Sequence, residues 1–368
     1  MDLSSRIAVV LPPREHFRAQ DAGAVALTVK DFYLASSFKN ELVVFGGFSE
    51  HFPDILYYQV KLSLWRVINT NFAYANACIR DLKHRPIQLV EVHNRAKLAL
   101  RIKTAMPQLK VAVYLHNDPH SMKGLKTIQE RTRLLECLDL VYCVSEFVKA
   151  RLLEGSDPIF RDRVKVIYNA IPQIKPLDYK NRRPWIVYAG RFIPEKGVLE
   201  LAEALAQLLP LYPDWKVVFL GAWGFGHEAG KSEYEQLVYA ALAKVGEQVD
   251  FQGHVSHQQV IDVFSQASIA VTPSTGLEAF GRTTLEAMLA GCAVITSTSG
   301  GLNEVAGEAA VLVNPVNQDN LFYAMKNLIQ DSAERETCAS RCQKHAHTTF
   351  YLPRQVSSLD ASRTELLH

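Results

Sequence analysis

The sequence predicts an α/β protein with two doubly wound, Rossmann-like domains. Three observations lead to this expectation. The chain has 368 residues, which points to two domains of roughly 150–200 residues each rather than one core. Short, continuously apolar runs alternate with longer helical patterns, as in parallel sheets whose strands are joined by helices. One proline-rich segment interrupts this alternation, and the same pattern starts again behind it.

The first half contains six apolar runs of strand length with helical patterns between them. The runs are rich in Val, Ile and Leu, which is typical of strands buried on both faces of a parallel sheet. Strands are predicted at Ile7–Leu11, Leu42–Phe45, Leu89–Val92, Val111–Leu115, Leu140–Val144 and Val164–Ile167, and helices at Leu64–Leu82 and Lys126–Cys137. This alternation predicts the first doubly wound sheet.

The second half repeats the pattern after a break between Ile171 and Pro184, where three prolines indicate a linker. Strands are predicted at Ile186–Ala189, Val217–Leu220, Ile269–Thr272 and Ala293–Thr296, and helices at Leu199–Leu209, Lys231–Val245, Gln258–Gln266 and Thr283–Ala290. We therefore expect an N-terminal domain over 1–172, a linker over 173–184, a C-terminal domain over 185–349, and a segment, 350–368, that can cross back to the first domain. Ligands bind beyond the carboxyl ends of such strands, so two facing domains would form a cleft.

Charge is divided unevenly between the halves. Residues 1–175 hold 25 Lys and Arg against 17 Asp and Glu, whereas residues 176–368 hold 15 against 21. A basic first half suits an anionic membrane surface, a nucleic acid or a phosphorylated substrate, but dispersed basic residues also suit an ordinary solvated face. No aromatic and basic motif of a nucleic-acid reader occurs, so we expect no nucleic-acid partner.

The sequence has no stretch typical of a signal peptide or a membrane span. Its six cysteines form no C-x-x-C pair, and Cys338 and Cys342 lack further ligands for a metal set. We expect buried free thiols, which suit a reducing compartment. The expected location is the cytoplasm, with peripheral contact at the inner face of the cytoplasmic membrane as a further option.

The first candidate site follows the predicted strand Ile186–Ala189. Gly190 lets the chain turn where the strand ends. Arg191 and Lys196 then lie on the loop before the next helix, where both can reach one anion. Arginine binds a phosphate through two nitrogens and lysine binds it as a point charge. Taken alone, the two could also be a surface ion-pair residue and an ordinary helix-start residue.

The second candidate site lies between the predicted strand Ile269–Thr272 and the helix from about Thr283. Glu278 stands on the loop and Glu286 about one turn into the helix. A helix N-terminus offers N–H groups and a partial positive charge, which suit a pyrophosphate, and carboxylates on either side can accept sugar hydroxyls. The alternative makes Glu286 a surface residue and Glu278 a partner of the helix dipole. The small and apolar surroundings favour the functional interpretation.

Weaker candidates stand in the first half. His93 and His116 end neighbouring strands and can lie at one sheet edge, although a histidine there is more often structural. Asp118 is an alternative metal ligand, but no Asp-x-Asp pair occurs, so we expect no divalent metal and no other cofactor. Gly23, after the first strand, can let the backbone approach a phosphate. The absence of G-x-G-x-x-G there and of G-x-x-x-x-G-K-[S/T] counts against dehydrogenases and P-loop enzymes.

These residues together resemble the family-4 retaining glycosyltransferases of the GT-B fold. The resemblance covers roughly residues 186–330, and its signature is two glutamates separated by seven residues. The matching positions are Gly190-Arg191, Lys196-Gly197, Phe251 to Gly253, Pro273-Ser274, Glu278, Phe280-Gly281, Leu285 to Ala287, Gly291, Gly300-Gly301 and Glu304, with looser matches at Gly23, His116, Ser145-Glu146 and Asn169. Two departures are the single Gly23, where the family often has paired glycines, and Asn303, where it often has proline.

The resemblance implies a role for each matching position. Arg191 and Lys196 would hold the donor diphosphate and stabilise it as the leaving group. Glu278 would bind the transferred sugar, and Glu286 would bind the ribose. The remaining donor contacts would be the backbone of Phe280, Gly281, Arg282 and Thr283 at sugar and phosphate, the backbone near Val255 at the base, Gly23 at the donor, and His116 near the anomeric carbon.

The expected activity is transfer of a sugar, with retention of configuration, from a nucleotide-diphosphate sugar to a glycan, lipid-linked or phosphorylated acceptor. UDP is favoured over GDP, and lipopolysaccharide or exopolysaccharide assembly is the expected setting. No covalent nucleophile is evident, so a front-face transfer is implied. The alternatives are a nucleotide-sugar 2-epimerase of the same fold and a non-catalytic nucleotide-sugar-binding protein.

Overall fold

The computed structural model describes residues 5–62, 70–175, 177–222 and 232–368. The chain divides into two compact units. Unit 1 contains the described residues up to Pro172 together with Tyr351–His368, and unit 2 comprises Gln173–Phe350. The C-terminal segment thus belongs to the first unit.

Unit 1 is built on a seven-stranded sheet in the order β3-β2-β1-β4-β5-β6-β7, and every pairing in it is parallel. Its strands are β1 Ile7–Val10, β2 Leu42–Gly46, β3 Tyr57–Gln59, β4 Leu89–His93, β5 Lys110–Leu115, β6 Leu140–Cys143 and β7 Val164–Val166. Its helices are α1 Ala24–Ala35, α2 Thr70–Leu82, α3 Ala96–Ala105, α4 Ile128–Cys137, α5 Glu146–Leu153 and, at the end of the chain, α13 Leu352–Leu367. The central strands are fully buried, so the apolar core lies on both faces of the sheet.

Unit 2 has a six-stranded parallel sheet in the order β10-β9-β8-β11-β12-β13. Its strands are β8 Arg183–Ala189, β9 Lys216–Leu220, β10 Val249–Gly253, β11 Ala267–Thr272, β12 Ala293–Ser297 and β13 Val311–Val313. Its helices are α6 Val198–Leu208, α7 Glu233–Leu242, α8 His257–Gln266, α9 Arg282–Leu289, α10 Leu302–Ala306, α11 Gln318–Gln330 and α12 Ser332–Thr349. The prediction of two parallel α/β sheets is confirmed.

The strands that the sequence pattern missed all lie at sheet edges. β3, β10 and β13 are the outer strands of their sheets and are partly exposed. An edge strand is covered less completely, so its residues need not form the continuous apolar run that identifies a buried strand. The pattern therefore predicted the central strands of both sheets and missed three edge strands.

Two predicted element boundaries in unit 2 are corrected. The strand predicted from Ile186 is β8, which already begins at Arg183 and includes Pro184, the last residue of the predicted linker. Proline cannot donate to a ladder, and it lies where the register between β8 and β11 shifts. The predicted helix Lys231–Val245 is α7, which begins after Ser232 in a capping box and passes into a 3-10 turn at Ala243. Lys231 and part of the predicted helix Leu64–Leu82 lie outside the described residues.

A buried ion-pair network ties α13 to unit 1. The two guanidinium nitrogens Nε and Nη2 of Arg363 donate to the two carboxylate oxygens of Glu91 in β4, at 2.9 and 2.7 Å. Arg363 also donates to Asp360, whose carboxylate accepts from Ser36 and Ser37 beyond α1. Because a lone charge at these buried positions would be costly, the network fixes where the C-terminal helix docks.

All six cysteines are free thiols, and five of them are buried. The expectation that all are buried is wrong for Cys137, which closes α4 and is exposed. Within the described ranges, none of the helices combines the length and the hydropathy needed to span a bilayer.

Candidate functional site

The predicted site residues of unit 2 stand at the carboxyl ends of adjacent strands. β8 and β11 are neighbours in the sheet, and each strand leads into a loop and then a helix. Arg191 and Lys196 follow β8, and Glu278 follows β11, while Glu286 lies within α9. The fold therefore gathers charged side chains from both predicted clusters at one edge of this sheet.

The loops after β8 and β11 are held together by backbone contacts. The backbone N–H groups of Thr275 and Gly276 donate to the carbonyl of Glu195 at 3.1 and 2.9 Å. Gly197 adopts a left-handed conformation with φ of 65°, and a Cβ atom there would lie 2.0 Å from the carbonyl oxygen of Pro273. Only glycine permits this approach. The two loops can therefore come this close because residue 197 is a glycine.

This approach places Lys196 against Glu278. The Lys196 ammonium donates to Oε1 of Glu278, and the hydroxyl of Ser274 donates to the same oxygen at 2.7 Å. The backbone of Glu278 is fixed as well, because its carbonyl accepts from the N–H of Gly301 at 2.7 Å. The first and second predicted clusters are thus one site, joined by an ion pair between partly buried side chains.

Glu286 is a buried carboxylate, so the alternative that it is a surface helix residue is wrong. Its Oε1 accepts from Nε of Arg282, one turn earlier in α9, at 2.9 Å. The same oxygen contacts Nε2 of His257, the first residue of α8, at 2.8 Å. Sequence reasoning assigned Arg282 only through its backbone and did not find His257, which is 29 positions away from its partner.

Two neighbouring side chains, His257 and Arg282, lower the pKa of Glu286. Burial by itself raises the pKa of a carboxyl group. The hydrogen bond from His257 and the charge of Arg282 outweigh burial, and they hold the pKa of Glu286 below its ordinary value. The carboxylate is therefore ionised at neutral pH although it is buried.

Other predicted donor contacts lie in the segments that lead into α8 and α9. α9 begins at Arg282, so Gly281 and Phe280 precede its first turn and Thr283 lies within it. Val255 lies in the turn between β10 and α8. The first N–H groups of an α-helix have no partner inside the helix, which makes this end attractive for an anion.

Tyr188 supports the loop that carries Arg191, and sequence reasoning missed it. Its hydroxyl donates to the backbone carbonyl of Arg191 at 2.7 Å. Burial raises the pKa of Tyr188 well above its ordinary value, so the hydroxyl stays protonated as a donor. A tyrosine among the aliphatic residues of the predicted strand Ile186–Ala189 was the one available signal. Arg191 itself has an exposed side chain.

In unit 1 the structure brings the two predicted histidines together. Nδ1 of His93, at the end of β4, lies 2.8 Å from Nε2 of His116, after β5. Asn94, with φ of 54°, accepts the backbone N–H of His116 on its side-chain oxygen at 2.8 Å. Burial lowers the pKa of His93, and the charges of His116 and Arg363 add to this effect. His93 is thus a neutral ring.

Gly23 immediately precedes α1, in extended backbone with φ of −76°. A Cβ atom at this position would lie 2.7 Å from Oε1 of Glu15. The same carboxylate oxygen accepts the N–H of Ala26 in the first turn of α1 at 3.2 Å. The group that packs against Gly23 is therefore a side chain of the protein, and the role of Gly23 toward a donor stays a prediction.

Asp118 is engaged in an ion pair. Nε and Nη2 of Arg151 donate to its two oxygens at 3.1 Å each. Across the part of the chain that the structure describes, no three His, Cys, Asp or Glu residues are grouped so that they could hold a metal ion.

Comparison with known proteins gives a family match and a fold. Residues 171–345 match the family described as Glycosyl transferases group 1. The lipopolysaccharide 1,2-N-acetylglucosaminetransferase of Salmonella typhimurium is 26% identical over 264 residues, which cover 69% of this chain and 67% of that protein. The GDP-mannose-dependent monoacylated alpha-(1-6)-phosphatidylinositol monomannoside mannosyltransferase of Corynebacterium glutamicum is 24% identical over an alignment of 380 positions, which covers 95% of each.

Among solved structures, Alr3699/HepE of Anabaena in complex with UDP and glucose superposes with a TM-score of 0.78 at 17% identity. The superposition covers 98% of this chain and 99% of that one. This likeness confirms the predicted GT-B fold with its two Rossmann-like domains.

Proposed function

We propose that this chain, a glycosyltransferase by the group 1 domain of its second unit, uses a nucleotide-diphosphate sugar as donor and retains the anomeric configuration. The acceptor is a glycan or a glycolipid. The single observation that carries the proposal is a cluster of two ion pairs at one sheet edge, Lys196 with Glu278 and Arg282 with Glu286. These pairs supply cations for a diphosphate and carboxylates for sugar hydroxyls.

The cations of the cluster act on the leaving group. Cleavage of the sugar–phosphate bond builds positive charge on the sugar and negative charge on the diphosphate. Arg191 and Lys196 stabilise that diphosphate without reorganisation, because the Gly197 turn and the Tyr188 hydrogen bond hold their loop in place. No metal is assigned to this step, and metal independence stays part of the proposal.

The carboxylates act on the two sugars of the donor. Glu278 accepts hydroxyls of the transferred sugar, and Lys196 and Ser274 hold it in position. Glu286 accepts hydroxyls of the ribose. The segment from Phe280 to Thr283, which leads into the first turn of α9, lies between the two carboxylates in sequence and offers its N–H groups to phosphate and sugar.

The remaining assignments are proposed on the resemblance. Val255 meets the base through its backbone, Gly23 lies near the donor, and His116 lies near the anomeric carbon. UDP is the favoured base and GDP the second choice, which the UDP-bound Anabaena structure and the GDP-mannose-dependent Corynebacterium enzyme support in turn.

A lipid-linked or phosphorylated acceptor fits the basic first half of the chain, with or without contact to an anionic membrane. Lipopolysaccharide or exopolysaccharide assembly is the proposed setting, and the Salmonella relative supports it. A protein that stayed unbound to anionic vesicles at low salt would contradict the membrane part.

A thermal-shift screen against UDP, GDP, ADP and their common sugar conjugates, without metal, tests the donor. Ligands that bind the folded state raise its apparent stability, so we expect one base family to raise the Tm. No response to any of them would contradict the proposal. Product analysis then separates the activities: transfer needs an acceptor, whereas a 2-epimerase changes the donor sugar without one, and a binding protein leaves it intact.

A further inference from the structure

The start of α8 stands next to the carboxylate that we assign to the ribose. Ser256 caps this helix in a capping box, with its N–H donating to Oε1 of Gln259 at 3.0 Å. The cap fixes the first helical residue, His257, whose Nε2 then lies 2.8 Å from Oε1 of Glu286 in α9. His257 is two positions beyond Val255. One short segment therefore contains both Val255, the proposed contact to the base, and a side chain that contacts Glu286, the proposed contact to the ribose.

The two oxygens of the Glu286 carboxylate are used differently. Arg282 and His257 both donate to Oε1. Oε2 accepts no hydrogen bond from any residue that the structure describes. The acceptor is an ionised carboxylate, so His257 carries the hydrogen on Nε2. One oxygen is therefore saturated by the protein, and the other remains as an acceptor.

The last torsion of a glutamate side chain is broad and roughly two-fold, so a carboxylate with a single partner is poorly oriented. Arg282 reaches Glu286 from the same helix, one turn away, and His257 reaches it from a different helix. Donors from two directions on Oε1 restrict rotation of the group. The Glu286 side chain is only 6% exposed, which leaves little room for alternative orientations.

We infer that His257 is a positioning residue for the nucleotide: it holds Glu286 so that Oε2 accepts the ribose hydroxyls. The inference rests on the proposed function, because it takes Glu286 as the ribose contact. His257 does not touch the sugar or the reacting atoms. It acts through Glu286, and its removal should weaken recognition of the ribose hydroxyls while leaving the chemistry at the diphosphate intact.

Nucleotides that lack one ribose hydroxyl test this inference. The full-length protein is titrated calorimetrically with UDP, GDP, and the 2′-deoxy and 3′-deoxy forms of each. A hydrogen bond to a charged group makes roughly a tenfold difference or more in affinity, so the wild type should prefer the ribonucleotide over at least one deoxy form by about that factor. In His257→Ala this preference should fall to about twofold or less. The affinity for the ribonucleotide should drop, and the affinity for the deoxy form should stay the same.

Three further variants sharpen the test. Gln258→Ala removes an exposed side chain from the same helical turn and should keep the full preference. His257→Gln can still donate from its amide and should restore part of it. If His257→Ala does not yield folded protein, His257→Phe, which keeps a ring and removes both nitrogens, replaces it. In turnover assays the alanine variant should raise KM for the donor and leave kcat within about threefold.

The outcomes separate the two claims. An unchanged preference in folded His257→Ala or His257→Phe would overturn the inference and leave the proposed function standing. A fall in kcat without a change in the deoxynucleotide preference would also overturn it. A wild type that binds neither UDP nor GDP here and responds to no nucleotide of the thermal-shift screen would overturn the proposed function, and the inference with it.

Discussion

The carboxyl edges of the two sheets use polar side chains in different ways. In unit 2 the side chains are charged and paired, as Lys196 is with Glu278 and Arg282 is with Glu286. In unit 1 the corresponding strand ends carry stacked rings, and buried His93 is held neutral beside His116. The comparison teaches that burial neutralises a group unless an opposite charge accompanies it. Buried Glu286 stays ionised because His257 and Arg282 accompany it.

The largest expected effect concerns the ammonium group of unit 2. Lys196→Ala should lower kcat by about 10²–10³-fold, because one preorganised group that stabilises developing negative charge is removed. Steady-state assays with the identified donor measure this. Lys216→Ala, which removes an exposed lysine at the opposite end of a neighbouring strand, is the control. Near-normal kcat in folded Lys196→Ala would break the assignment of the diphosphate site.

Next in size is the effect of neutralising Glu286. Glu286→Gln removes the buried negative charge that accepts from Arg282 and His257, and the free energy of unfolding should fall by about 1–3 kcal/mol at pH 7. The folded-state pKa of Glu286 is depressed below 4.5. The stabilisation should therefore be present above the unfolded-state pKa and vanish as pH falls through the folded-state pKa.

Denaturant unfolding of the wild type and Glu286→Gln at pH 7, 5 and 3 checks this dependence. The two proteins should differ at pH 7 and pH 5 and converge toward pH 3. A difference that persisted unchanged at low pH would mean that the charge on Glu286 is not its source.

Gly197→Ala tests the close approach of the two loops that carry Lys196 and Glu278. A Cβ there would meet the Pro273 carbonyl, and φ is positive, so we expect a loss of about 1–3 kcal/mol in the free energy of unfolding. The matched control is Gly246→Ala, where nothing lies within 4 Å of the added atom. Equal stability of the two variants in denaturant melts would refute the proposed close approach of the loops.

The smallest expected effect is on the pH dependence of the free energy of unfolding, and it concerns the neutral His93 of unit 1. Since the pKa of His93 is lowered on folding, the unfolded chain takes up a proton that the folded chain does not. Stability should therefore decline as pH falls below about 6.5, by at most about 1.4 kcal/mol per pH unit. His93→Phe should flatten this decline between pH 7.5 and 5.5, and His84→Gln, an exposed control, should not.

Sequence patterns found the parts of the site that are local in the chain. Arg191, Lys196, Glu278 and Glu286 each follow a buried strand or lie in the helix behind it, so strand position and spacing were enough to select them. The sequence pattern did not reveal His257, because this residue comes close to Glu286 only after α8 and α9 have packed together. The same holds for Tyr188, whose importance comes from the direction of one hydroxyl.

Packing also explains what the patterns misjudged. Cys137 was expected to be buried because cysteine usually is, yet it falls on the outer side at the end of α4. Residue type gives an average environment, and only the folded neighbours give the actual one.

The docking of α13 has a consequence for the order in which the protein is completed. Glu91 is synthesised 272 residues before its partner Arg363 becomes available. Until then, unit 1 must carry a carboxylate at the centre of its sheet with no cation to match it. Unit 2, whose residues are contiguous, can mature first, although the chain begins with unit 1. Completion of unit 1 around Glu91 thus waits until the segment that contains Arg363 has been made.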